Sequence, residues 1–275
     1  MVTINHFRRQ GKGPALQIDK TSDYHMHTIY SDGNADIDAM ARSAIDKGLT
    51  QITITDHMPL PFGTRYAMSR ARVEVYRRDI RQAQTAYDGR LTVTSGIEFE
   101  YIPRYHEWIH DIWEMGWDHC IISVHRLLDD GITGMVNGTR GEFDALFQAA
   151  NGDIKTLCRI YYDVIQMACR TGWFTIAGHL DVIKKHNAGA VFFDESDAWY
   201  RDLVMATLKV IKAQGMTMEI NTAGINHPAG VPYPSPWIVH EAAGMGIPLV
   251  LSSDSHSPET LGQYFNTIDY STSGA

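Results

Sequence analysis

Cysteine is scarce and odd in number in this 275-residue chain: three residues, Cys120, Cys158 and Cys169. Three thiols without Cys-x-x-Cys spacing exclude a disulfide framework and suit a reducing compartment. Basic charge is also short, with 24 Lys+Arg against 32 Asp+Glu and a net charge of −8. With no Lys/Arg-rich run either, the chain is not built to bind nucleic acid by counterion release. An anionic substrate would need positive charge from another source. No apolar run approaches the roughly eighteen residues of a membrane span, and no charged segment followed by an apolar one opens the chain. These absences predict a soluble cytoplasmic protein with neither membrane nor nucleic-acid partners; they leave the oligomeric state open.

What is present is a globular composition, 44% hydrophobic and 10% aromatic, at a length where about 70–75% of the unfolded surface can be buried. Residues 1–22, polar and Gly-rich around Gly11–Pro14, read as an N-terminal arm, and 23–275 as a single domain. Within it, short β-branched or apolar runs alternate with helical patterns. The runs lie at 23–28, 51–57, 91–98, 117–125, 174–179, 216–221 and 247–254. Helix patterns run from Asp36 to Lys47, Ser69 to Asp88, Asp194 to Gln214 and Ser235 to Ala243, closed by Gly48, Gly89, Gly215 and Gly244. Strand and helix in alternation predict βαβ units around a parallel sheet. In the third helix, Trp199, Leu203, Ala206, Val210 and Ile211 form the predicted core stripe. Gly131 to Asp153 reads as a long loop over the site.

Nearly every predicted strand ends in a residue able to bind metal. His25 and His27, at i and i+2, point to one face roughly 6.6 Å apart, close enough for both imidazoles to reach one ion. Asp56 and His57 end the second strand, Glu98 the third, His125 the fourth, His179 the fifth, and Asp254 with His256 the seventh. Each alone has an ordinary explanation; Glu98 could cap a helix. Together, on parallel strands whose ends converge on one face, they predict a multinuclear metal site. His106 and His110 sit beside Trp108 and Trp113 and read as helix packing; His6, His119, His186, His227 and His240 are likewise read as structural.

The motifs Tyr24-His25-Met26-His27-Thr28 with Ser31-Asp32-Gly33, then Thr55-Asp56-His57, Gly96-Ile97-Glu98, Ser123-Val124-His125, Gly178-His179-Leu180-Asp181, Glu219-Ile220-Asn221-Thr222 and Ser253-Asp254-Ser255-His256 resemble the PHP (polymerase and histidinol phosphatase) superfamily. The resemblance spans Asp23 to Gly262 and is strongest to its monofunctional histidinol-phosphate phosphatases. It implies a distorted (β/α)7 TIM-like barrel holding up to three divalent ions, zinc, iron or manganese. His25, His27, Glu98 and Asp254 would hold one ion; Asp32, His57 and His256 a second; His125 and His179 a third, with Glu98 bridging. Asp32 stands where many relatives carry histidine.

Hydrolysis of a phosphate monoester demands about 20 kcal/mol or more of barrier reduction. Three divalent ions against Asp32, Glu98 and Asp254 would leave about +3 to receive a phosphate dianion. Asp254 is the expected proton-steering group for the attacking water, and Arg126 and Arg159 the expected phosphate clamps, a guanidinium fork matching phosphate. The expected substrate is L-histidinol phosphate, with Glu100, Asp129 or Asp130 facing its amine or imidazole. Another small phosphate ester, such as a nucleotide or cyclic phosphate, and a non-catalytic metal-binding module are the alternatives; an amidohydrolase is the weakest, for want of a carbamylated-lysine candidate.

Overall fold

The β-branched runs of the sequence pair with one another in chain order. In the computed structural model, which describes residues 18–129 and 131–270, the strands are β1 (Ser22–Asp23), β2 (Gln51–Ile54), β3 (Thr92–Glu100), β4 (His119–Ser123), β5 (Arg126–Asp129), β6 (Ile132–Met135), β7 (Ile176–Ala177), β8 (Thr217–Asn221) and β9 (Leu249–Ser252). Seven of them form one parallel sheet in the order β1-β2-β3-β4-β7-β8-β9. The sheet curls until its edges meet: Tyr24 N donates to Leu251 O at 3.3 Å and His27 N to Ser255 O at 2.7 Å. The Asp23 carboxylate, accepting from Ser253 N and Gly262 N at 2.9 and 3.0 Å, fastens this seam. The nearly closed seven-stranded parallel barrel matches the predicted architecture. Of the predicted N-terminal arm, residues 1–17 lie outside the described residues, and Ser22 already belongs to β1.

Helices α1 (Ile37–Asp46), α2 (Val73–Tyr87), α3 (His106–Trp113), α4 (Arg140–Ala149), α5 (Ile154–Arg170), α6 (Ala198–Ala213) and α7 (Pro236–Gly244) lie between the strands. Asp36 caps α1 by accepting from Ala39 N at 2.8 Å, and Gly48, Gly89 and Gly215 take positive φ just past their helices, where a Cβ would be strained. At α7 the predicted stop is displaced: Gly244 is still helical and Gly246 takes the left-handed turn, with φ 75°.

On α6 the buried face is Tyr200, Val204, Thr207, Leu208 and Ile211, while Ala206 is exposed. The predicted stripe was rotated because Tyr200 and Thr207 were not counted as core. Their polar atoms are satisfied inside it, Tyr200 by the Tyr162 hydroxyl at 3.0 Å and Thr207 by Gln166 at 3.1 Å, so burial costs little.

The stretch 131–153 is not a loop. β5 and β6 form an antiparallel hairpin, and α4 follows behind a capping box in which Thr139 and Glu142 satisfy each other's backbone N–H groups. α5 buries Leu157, Tyr161, Tyr162, Val164, Ile165 and Ala168 against the barrel, at about 1.5–3 kcal/mol for a large apolar side chain. Its Tyr161 hydroxyl donates to Leu180 O at 3.1 Å, tying the helix to the turn after β7. Gly178 is there because a Cβ would lie 2.7 Å from Ile121 Cγ2 and Ser123 Oγ; only glycine lets this turn approach β4.

Candidate metal centre

The carboxyl ends of the strands put their polar residues into one cleft of about 280 Å³, lined by Asp32, His57, Tyr66, Glu98, His125, Met135, Asn137, Gly138, Lys185, His227, Asp254 and His256. Glu98, on β3 and buried, is its hub. Its Oε2 lies 2.6 Å from His57 Nδ1, 3.5 Å from His25 Nε2 and 3.7 Å from His27 Nε2. Its Oε1 lies 3.0 Å from His179 Nε2 and 3.3 Å from His125 Nε2. His27 Nε2 is 3.0 Å from Asp254 Oδ1, and Asp32 Oδ1 is 3.4 Å from His256 Nε2 and 3.8 Å from His57 Nε2. Eight of the nine residues expected as ligands fall in groups whose donor atoms lie within 4.8 Å of one another, namely His27, Asp32, His57 and His256, then His25, His27 and Asp254, then His57, Glu98 and His125, and the ninth, His179, joins them through Glu98.

This donor set fits divalent metal ions. Ring nitrogens face each other at 3.1 Å between His25 and His27 and at 3.0 Å between His125 and His179. Glu98 Oε2 is buried among imidazoles yet accepts no hydrogen bond. Lone pairs pointing at a shared centre are unfavourable for protein groups alone and are what a cation requires. Imidazole and carboxylate without thiolate suit zinc, iron or manganese; the three cysteines are buried elsewhere.

The electrostatics say the same. Burial disfavours the His25 cation, but Asp254, Glu219 and Glu98 raise its pKa well above the ordinary value; Glu98 and Glu100 do so for His125 against the same burial. His27 is held down to about 4 by burial and by its neighbours His256 and His57. Near the mouth, burial opposes the shift of Asp32, but His256, His57 and His27 bring it down to about 2. The pocket is a negative field around buried imidazoles, suited to concentrated positive charge.

Glu219 and Glu100 have roles at the site that sequence reasoning did not assign. Glu219 Oε2 lies 3.0 Å from His25 Nδ1, and Glu219 also accepts from His179 N. Glu100, expected to meet the substrate, is instead buried and engaged: it accepts from His125 N at 2.8 Å and Arg126 N at 3.0 Å, and lies 2.9 Å from His125 Nδ1. A carboxylate on the far nitrogen of a ligating histidine fixes its tautomer and orientation. The signal was the i, i+2 spacing of Glu98 with Glu100 and of Glu219 with Asn221, the same inward-facing spacing as His25 and His27. Asn221 Nδ2 donates to Asp254 Oδ2 at 3.1 Å, and Asp254 holds φ 50°, a strained conformation for a non-glycine residue that turns its carboxylate into the cleft.

Asp56 has a different task, accepting from Thr28 N, Thr28 Oγ1 and Ser31 N at 2.8, 2.8 and 2.9 Å and so shaping the loop that carries Asp32. Lys185 and His227 line the cleft, although His227 was read as structural and Lys185 was not singled out. Lys185 donates to Asn137 O at 2.5 Å, and burial lowers its pKa. The two arginines expected as clamps line a separate cavity: Arg126 at the start of β5 and Arg159, exposed within α5 rather than opening it, border a space that contains none of the nine expected ligands. Asp130 and the side chain of Asp129 lie outside the described residues. His106 and His110 pack on Trp173 with ring centroids 4.5 and 5.0 Å apart, as expected.

Among known proteins, a "Probable histidinol-phosphatase" of Deinococcus radiodurans is 34% identical over 247 residues, covering 88% of this chain and 89% of its own. A provisionally named histidinol phosphatase structure from Listeria monocytogenes superposes with a TM-score of 0.77 at 21% identity, over 90% of this chain and 99% of that one. A Lactococcus lactis histidinol phosphate phosphatase, solved with zinc, L-histidinol and phosphate, superposes with a TM-score of 0.66 at 20% identity over 87% of each chain. The family described as PHP domain matches residues 23–223, which include the ends of six of the seven barrel strands, and the chain therefore belongs to the PHP family.

Proposed function

We propose that the chain is a metal-dependent phosphomonoesterase that hydrolyses L-histidinol phosphate to L-histidinol and phosphate, in histidine biosynthesis. The convergence of imidazoles and carboxylates on Glu98, in the floor of a cleft sized for a small molecule, carries the reading; the names of the relatives support the substrate. A single barrel domain over 23–275 and a cytoplasmic location complete it, consistent with three buried, unpaired cysteines.

In this reading His25, His27, Glu98 and Asp254 hold one ion, Asp32, His57 and His256 a second, and His125 and His179 with Glu98 a third. When bound, the ions supply Lewis acidity and lower the pKa of an attacking water. The chain's own residues do the rest. Glu219 and Glu100 fix the rings of His25 and His125. Asp254, held by Asn221 and its left-handed backbone, takes the proton of the nucleophile. Lys185 meets a phosphate oxygen with a donor not used on Asn137, filling the place expected of an arginine. Five carboxylates around three divalent ions leave about +1, to which Lys185 adds one, a charge matched to a phosphate dianion.

Every carboxylate lining the cleft among the described residues belongs to the proposed ligand set, so none is free for the ammonium of histidinol. That observation favours, as a second reading, the same chemistry on another small phosphate ester. Phosphate release from L-histidinol phosphate, against a panel of other phosphomonoesters and diesters on protein of measured metal content, decides. Chelator-sensitive preference for histidinol phosphate is expected; preference for another ester would overturn the substrate, and no hydrolysis by the metallated protein would overturn the enzyme.

A further inference from the structure

Beside the metal cleft, and sharing no lining residue with it, lies a second cavity of about 460 Å³ between the β5–β6 hairpin, the turn at Pro103 and the outer face of α5. Its volume falls in the range of small-molecule sites. Three guanidiniums enter it, from Arg126, Arg159 and Arg170, against a single carboxylate, Asp163. In a protein of net charge −8, this is a local excess of about two positive charges. Arg170 is anchored, donating to Gln166 Oε1 at 3.0 Å. Arg159 has no hydrogen bond or ion pair among the described residues, and Arg126 Nε is buried without a hydrogen-bond partner. The remaining wall is apolar: Leu127, Leu128, Ile160, Val164 and Met167.

Clustered guanidiniums repel one another, and a buried Nε without an acceptor costs free energy. Both penalties disappear if an anion sits between the arginines. Planar carboxylate or phosphate matches the guanidinium fork, and the apolar wall calls for a hydrocarbon or aromatic body behind the charge. We propose that this cavity is a binding site for a small organic anion with an apolar body, distinct from the phosphate site of the metal cleft. The ligand would sit close to the metal donors, because Arg126 directly follows His125 and shares the Glu100 carboxylate with it through the backbone.

The test is calorimetric titration of the holoenzyme with benzoate, in the presence of enough inorganic phosphate to fill the metal cleft. Saturable binding is expected. It should weaken at least about tenfold in Arg159→Ala, the scale of one lost charge-assisted hydrogen bond, and in Met167→Glu, which sets a carboxylate among the arginines at a position 43% exposed. Met167→Glu should keep wild-type hydrolysis, and Lys185→Met, a change in the cleft, should keep benzoate binding. Absence of saturable binding, displacement of benzoate by phosphate, or its loss in Lys185→Met but not in Met167→Glu would overturn the proposal. Because heat of binding is the readout, an inactive wild-type protein would sink the proposed function and leave this site standing.

Discussion

The floor and the mouth of the metal centre are built differently. At the floor, the side chains of His25, His125 and His179 are 0%, 5% and 3% exposed, and those of His25 and His125 are backed by Glu219 and Glu100. At the mouth, the side chains of Asp32 and His256 are 29% and 43% exposed, and His256 Nδ1 lies 2.9 Å from the Asp254 carbonyl, with the nearest carboxylate oxygen, Asp254 Oδ1, at 3.9 Å. The floor is preorganised by second carboxylates on rigid strands; the mouth hangs on loops and can adjust. In the proposed reading the floor would fix how its ligands point, and the mouth is where metal choice and substrate access would vary.

The largest effect should come from the hub. Glu98→Gln removes the charge that faces five imidazoles, and kcat/KM should fall by more than the about 10²–10³-fold that one lost electrostatic contact costs, with metal content falling in parallel by elemental analysis. Retained metal and activity would dissolve the floor as a unit. Next, Glu219→Gln and Glu100→Gln should each cost about 10–100-fold in metal affinity or activity, read by chelator competition. Asp32→His at the mouth should change less in rate than in which metal gives most activity; equal losses at floor and mouth would erase the distinction drawn here. Lys185→Met should raise KM about tenfold with kcat nearly kept, the pattern of lost ground-state binding. The smallest effect lies outside the site. Burial lowers the pKa of His119, so below about pH 6.5 the unfolded chain takes up this proton before the folded chain does. Stability from this group is full above that pH and is lost as pH falls toward its folded value. His119→Gln should flatten that part of the urea-midpoint profile between pH 7 and 5.

The convergence of the strand-end histidines and carboxylates was legible because each sits where a short β-branched run gives way to a polar turn, and parallel strands bring such ends together. The residues behind them were harder to assign. Glu100 looks like a free acid in sequence, since its i, i+2 spacing from Glu98 turns it inward but does not show that it grips the next strand's histidine. Lys185 follows a 3₁₀ turn with no period to mark its direction. Arg159 was displaced because its helix begins five residues earlier, at Ile154, behind the cap Asp153, whose carboxylate accepts from Lys155 N and Thr156 N. The hairpin and α4 were missed although Thr139-Arg140-Gly141-Glu142 spells the capping box; glycines at 131, 134, 138 and 141 masked it.

The seam that closes the barrel has a consequence for how the protein is made. His27 and Asp254, 227 residues apart in the chain, meet only after β1 has joined β9. A nascent chain on the ribosome presents His25 and His27 early and Glu98 midway, yet lacks Asp254 until the last barrel strand has emerged. Loop closure from β1 to β9 must precede assembly of that part of the centre, so in the proposed reading an ion captured earlier by the His25-Met26-His27 segment would be held without Asp254 until the seam closes.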